Sequence, residues 1–177
     1  MKKLFEIDTK DYNINGTVKV RPSVRAIIIR NNRLAMVHSL QYDYYKFPGG
    51  GIEEGENHSE TLIHEVREES GLIVIPDTIC PFGYVHRIQR GNPEDVFIQD
   101  NYYYLCQTKE LGVSQNLDDY EAEEQLVLDW VTVKQMLDAN RNHFHSRKHK
   151  DFRLEIISER ECRVAEILLR ENLIQNE

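Results

Sequence analysis

Cysteine is scarce and poorly placed for covalent architecture: Cys80, Cys106 and Cys162 are odd in number and include no CxxC pair. That pattern excludes a disulfide framework or a thiolate zinc site and leads to the expectation of free thiols in a reducing, cytoplasmic setting. No stretch approaches the roughly 18 consecutive apolar residues of a membrane-spanning helix, so no membrane partner is expected. The opening MKKLFEIDTKDY carries two lysines with no apolar run behind them, which argues against a secretory leader. Positive charge is also in short supply. Against 30 Asp and Glu there are 22 Lys and Arg, a net charge of -8, so extended nucleic acid is not an expected partner. An acidic protein still binds a polyanion when divalent cations lie between them. Internal repeats and low-complexity tracts are absent as well.

The 177 residues suit one packed domain, with an N-terminal strand extension over about 1–20. SVRAIIIR and RLAMVHS are β-rich runs separated by Asn31-Asn32, a hairpin signal. Tyr44 to Phe47 reads as a short aromatic strand. Pro48-Gly49-Gly50-Gly51 must then be a loop. From Asn57 to Ser70 the pattern is helical: Asn57 caps, Glu60 follows at the capping-box position, Leu62 and Val66 face the core, and Gly71 closes the helix. Residues 72–75, 81–89, 96–107 and 125–132 read as strands. Helices are expected over 132–139 and, longer and amphipathic, over about 154–173. The sum is an α+β protein of the α/β/α sandwich type, with a mixed β-sheet core and a C-terminal helix.

Chemistry concentrates in the helix after the glycine loop. Glu65, Glu68 and Glu69 stand at i, i+3 and i+4 and so project from one face. Crowded carboxylates repel one another unless a cation neutralises them. Hard oxygen donors without neighbouring Cys or His suit Mg²⁺, or Mn²⁺, rather than zinc. Glu56 adds a fourth acid at the helix entrance, and the Gly49–Gly51 backbone is able to approach a metal or phosphate closely. Such a set fits diphosphate cleavage by an activated water whose proton passes to a carboxylate. EVREES alone is a solvated face as readily as a site; glycine loop, acids, capped helix and Gly71-Leu72 in that order are far more specific.

Residues 50–72, GGIEEGENHSETLIHEVREESGL, closely resemble the Nudix box, G-x5-E-x7-R-E-U-x-E-E-x-G-U with U aliphatic. Gly50, Glu56, Glu65, Val66, Glu68, Glu69, Gly71 and Leu72 match it, and Phe47-Pro48-Gly49 resembles its usual approach. The resemblance implies a Nudix fold with a catalytic loop-helix-loop and Mg²⁺-dependent hydrolysis of a pyrophosphate bond in a nucleoside diphosphate linked to another moiety. It implies metal ligation by Glu65, Glu68, Glu69, Gly50 and Glu56, and catalysis by Glu65, Glu68, Glu69 and the residue before Glu65. That residue departs from the pattern: His64 replaces an arginine thought to hold a catalytic glutamate by an ion pair. An imidazole is shorter and lacks the guanidinium fork. Two outcomes stand open, a slower enzyme or a Nudix-fold nucleotide-binding or sensor module with little turnover.

Outside the box, Nudix enzymes often recruit a further glutamate from a loop. DDYEAEEQLVLDW resembles such an acidic stretch, with Glu123 and Glu124 as candidates. Arg25 is a candidate for a substrate phosphate and Tyr45 for a contact near the base or leaving group. Each has an ordinary alternative, an exposed acidic loop, a strand-edge salt bridge and a core tyrosine respectively. Of Tyr102-Tyr103-Tyr104, alternate faces imply that some are packing. RNHFHSRKHKDFR, residues 141–153, is a basic island whose His143, His145 and His149 lack strong ligand spacing. The expected partner is a small nucleotide; the sequence leaves a homodimer open.

Overall fold

The computed structural model describes residues 1–142 and 152–176. The expectations attached to His143, His145 and His149 lie outside them. The chain forms β1 (Lys3–Asp8), β2 (Val18–Val20), β3 (Ser23–Ile27), β4 (Ile29–Arg30), β5 (Arg33–Ser39), β6 (Tyr44–Lys46), α1 (His58–Ser70), β7 (Cys80–Arg90), β8 (Val96–Leu105), α2 (Asp119–Glu123), β9 (Leu126–Val131), α3 (Val133–Asn142) and α4 (Phe152–Arg170).

One sheet runs β1-β7-β8-β2, with β3 also on β8. Its centre is the antiparallel β7–β8 pair, and β2 and β3 follow one another along the far edge of β8, both parallel to it. The second sheet is built on β5, which pairs with β4, β6 and β9, all antiparallel. Asn31 and Asn32 both take positive φ, 50° and 57°, the conformation that a tight two-residue hairpin between β4 and β5 requires.

Apolar residues on alternate sides of these strands make two cores. Leu62 and Val66 of α1 pack with Val24, Ala26, Ala35 and Tyr104 on one side. On the other, Ile27, Met36 and Tyr103 pack with Met136 of α3 and with Val164 and Leu168 of α4. Helices therefore cover both faces, the expected α/β/α arrangement.

Residues 72–75 were expected as a strand, but only Val74 makes an isolated bridge, to Thr108. The left-handed Gly71 at one end and Pro76 at the other leave too few residues to extend the pairing. The short helix α2 was not expected. Asp118 and Glu121 explain it: the Asp118 N–H donates to Glu121 Oε2 at 3.1 Å, one half of a capping box. No described helix is long and apolar enough to cross a membrane.

Strand β6 carries the approach to the glycine loop, and its outer edge is sealed by one side chain. Fully buried Asn140 of α3 accepts from the Tyr45 N–H at 2.7 Å and donates to the Tyr45 carbonyl at 2.9 Å. Asn140→Leu strands a buried donor and a buried acceptor. Urea unfolding is expected to show a loss of about 2–4 kcal/mol, and an unchanged midpoint would mean that water reaches Tyr45.

Candidate functional site

Helix α1 is set by its two ends. Asn57 Oδ1 accepts from the Glu60 N–H at 2.9 Å, and Gly71 ends the helix at φ 71°. That phase turns Glu69 inward with Leu62 and Val66, where it is 1 % exposed. Lys46 Nζ donates to Glu69 Oε1 at 2.7 Å, and the Gly49 N–H donates to Oε2 at 2.9 Å. Burial pushes the Glu69 carboxyl up, but Lys46, Arg25 and the Gly49 N–H outweigh it and hold the group below its ordinary value. Glu69 is thus a buried, fully charged acid.

Glu65 lies one turn earlier and its carboxylate rests on the glycine loop. A Cβ on Gly50 would fall 2.0 Å from Glu65 Oε2, so any larger residue here would push the acid off this seat. Burial first, then the charge of Glu69, lifts Glu65 to about 7. Glu121, buried on α2, is also lifted to about 7, by burial and then by Glu69, with which it shares a side-chain hydrogen bond. Two carboxyls joined in this way need one proton between them, and Glu121 keeps it because Glu69 is held charged. Opposite the acids stands Arg25, whose Nη1 donates to the Gly49 carbonyl. Its buried Nε finds no hydrogen-bond partner among the described residues.

The other expected residues divide. Glu68 is on the solvent side of α1, 3.3 Å from His64 Nε2 and 3.4 Å from Asn116 Nδ2. His64 is itself exposed and touches no buried acid. Glu56 accepts from the Glu53 N–H at 3.1 Å and from Thr61 Oγ1 at 3.0 Å, ordering the helix entrance. Glu123 is exposed, whereas Glu124 accepts from Tyr44 Oη at 2.8 Å. Tyr45 is core, stacked on His38 with ring centroids 4.1 Å apart and its hydroxyl 3.2 Å from Asp129. Tyr103 and Tyr104 are packing, as alternation implied. Lys46 and Glu121 were not foreseen. The available signal for Glu121 was the capping-box spacing from Asp118; for Lys46 there was none.

Arg25, Lys46, Tyr44 and Glu124 line a cleft of about 1230 Å³, which continues past Arg87 and Gln99 over the first sheet. Among the described residues no group of three or more His, Cys, Asp or Glu surrounds a single point. Magnesium does not need one: it is commonly held by one or two carboxylates, its remaining positions filled by water and substrate phosphate. Glu65 on its glycine cradle, with Glu121 close enough to Glu69 to share a proton, fits such a donor set.

The NUDIX domain family model matches residues 19–152. Nudix hydrolase 2 of Arabidopsis thaliana is 23% identical over 133 residues, covering 72% of this chain and 45% of the plant protein, so the chain spans less than half of that relative. A NUDIX hydrolase from Nitrosomonas europaea superposes with a TM-score of 0.54 at 16% identity, over 80% of this chain and 87% of that one. A MutT NUDIX hydrolase from Burkholderia pseudomallei gives 0.51 at 17% identity, over 80% and 97%. At such identities the two structures speak for the fold.

Lys46→Met removes the partner of a buried charge and is expected to cost about 3–5 kcal/mol at neutral pH. The sign with pH follows from Glu69: a depressed carboxyl stabilises the folded state above its ordinary value of 4.5 and loses that contribution as pH falls. Without Lys46 the acid takes up a proton at higher pH, so the gap between variant and wild type should close on acidification. Chemical unfolding at pH 7 and pH 4 measures it; a gap that is constant with pH would show that Lys46 does not hold Glu69 charged.

Proposed function

The chain belongs to the Nudix family, and from that premise we propose that it hydrolyses a pyrophosphate bond in a nucleoside diphosphate linked to a second moiety, with Mg²⁺ (or Mn²⁺) bound at Glu65, Gly50 and Glu121. Nudix hydrolases generally use a divalent metal. The observation that supports this assignment is the trio of Glu65, Glu69 and Glu121 close beside Arg25 and Lys46, the two cations that line the cleft. Acids and cations together serve a polyanionic substrate that arrives with, or meets, a divalent ion.

A bound divalent ion neutralises phosphate oxygens and makes water a stronger acid. The chain supplies the rest. Arg25, which lines the cleft with its Nη1 already fixed on Gly49, would offer the remaining edge of its guanidinium to a phosphate oxygen. Lys46 and the Gly49 N–H hold Glu69 rigid. Glu121, at about 7, would give up the proton it shares with Glu69 when a divalent ion binds beside it, and would then accept the proton of the attacking water, the role for which a group near the working pH is best suited. Glu68, from the solvent side, is a further ligand.

A nucleotide-binding module with little turnover is the alternative, and His64 favours it. Against it, the buried acid is secured by Lys46, a task that needs nothing from position 64. His64→Arg is therefore expected to change turnover by less than about fivefold, as for an exposed pair; a far larger gain would identify the wild type as an impaired enzyme. A panel of nucleoside diphosphate-linked compounds incubated with Mg²⁺ should yield a nucleoside monophosphate and a second phosphorylated product, and chelation should stop it. Glu65→Gln and Glu121→Gln should each lower kcat by about 100-fold or more. If a folded preparation binds these compounds and cleaves none, the module takes the place of the enzyme.

A further inference from the structure

The cleft lined by Arg25 and Lys46 extends well along the first sheet. Arg25 pairs with Tyr103 in the β3–β8 register, and Gln99 lies four residues further along β8. Arg25, Tyr103 and Gln99 share one face of the sheet, which places Gln99 about 13 Å from Arg25 at a strand rise of about 3.3 Å per residue. A pentose carrying a base, attached to a phosphate at Arg25, spans that distance.

What waits there is chemically specific. Gln99 is 9 % exposed and lines the cleft, yet among the described residues its carboxamide has no hydrogen-bond partner. Its neighbour Gln89 is by contrast committed, accepting from Arg87 Nε at 2.6 Å and donating to the Arg90 carbonyl at 3.3 Å. The amide opens onto the cleft with donor and acceptor uncommitted among the described residues, so a ligand that meets both gains two sheltered hydrogen bonds there. Beside it the Arg87 guanidinium lies over the Phe97 ring, 5.5 Å from the centroid, forming a planar wall. Arg87 stands directly opposite Gln99 in the β7–β8 register.

Resting on the assignment of the acids to a diphosphate, we propose that Gln99, walled by Arg87 and Phe97, is the nucleobase-recognition residue of this cleft. A carboxamide pairs with an edge that offers one donor and one acceptor side by side, as nucleobases do. With no partner among the described residues to fix its orientation, the Gln99 amide is able to turn over to meet either order of donor and acceptor. It therefore reads the presence of a base more than its identity.

The test compares binding of nucleoside 5′-monophosphates carrying adenine, guanine, cytosine or uracil with binding of ribose 5-phosphate, by calorimetry on wild type and Gln99→Leu. The wild type should prefer nucleotides to ribose 5-phosphate, and the variant should lose about tenfold of that preference. Its thermal midpoint should equal or exceed that of the wild type, since an unpartnered polar group has been replaced by an apolar one. A lowered midpoint would make Gln99 structural. An unchanged preference, or no preference in the wild type, overturns the assignment. Turnover measured in parallel separates the two claims: a Gln99-dependent preference without hydrolysis defeats only the hydrolase, and hydrolysis with an unchanged preference defeats only the base site.

Discussion

Glu69 carries its charge in a place that water does not reach, and the geometry around the cleft is arranged to keep it there. An isolated carboxylate at that depth would take up a proton. It stays ionised because Lys46 and the Gly49 amide meet its two oxygens at 2.7 and 2.9 Å. Each of those partners is held by something else. Lys46 ends β6, whose outer edge is closed by Asn140, and Gly49 is pinned against β3, with its carbonyl on Arg25. A buried ion pair is weak grounds for stability, since apolar residues often do as well. Its value here is positional. One fixed negative charge sets the strand, the loop and the helix in register, and it adds to the larger effect of burial in lifting Glu65 and Glu121 to about 7.

The two cores make that pair possible. Helix α1 packs over one side of the strands and α3 with α4 over the other, so β6 and the glycine loop pass between layers. The same sandwich leaves the inner face of β7 and β8 only partly covered by α4. Polar side chains of that face then line a cleft rather than a core, which is why Arg87, Gln89 and Gln99 are nearly buried and still reach it. Fold and cleft are consequences of one packing arrangement.

Much of this was legible along the chain because it depends on near neighbours. The Asn31-Asn32 hairpin, the Asn57 cap, the Gly71 stop and the phase of α1 are all set within a few residues. The box pattern placed Glu65 and Glu69 together for the same reason. Where expectation and structure part, the missing information is distant. Tyr45 packs on His38 of the neighbouring strand instead of facing the cleft, a consequence of which side of β6 meets β5. Of the two acids expected from this segment, Glu124 lines the cleft and Glu123 is exposed; Glu121, not singled out along the chain, is turned inward by α2, a five-residue element too short to leave a periodicity to read.

The sequence by itself determined that the chain carries a glycine loop and a capped helix with acids on it, because spacing on a helix is dictated by its 3.6-residue turn. It also determined that those acids need cations about them, because like charges repel. Only the tertiary structure decided which acid is buried, which cation holds it, and which sheet residues share the cleft. Lys46 and Glu69 are separated by 23 positions, Glu121 and Glu69 by more than twice that. No local rule relates residues so far apart; they meet because two sheets and their helices pack in one way, and the charges acquire their roles from that meeting.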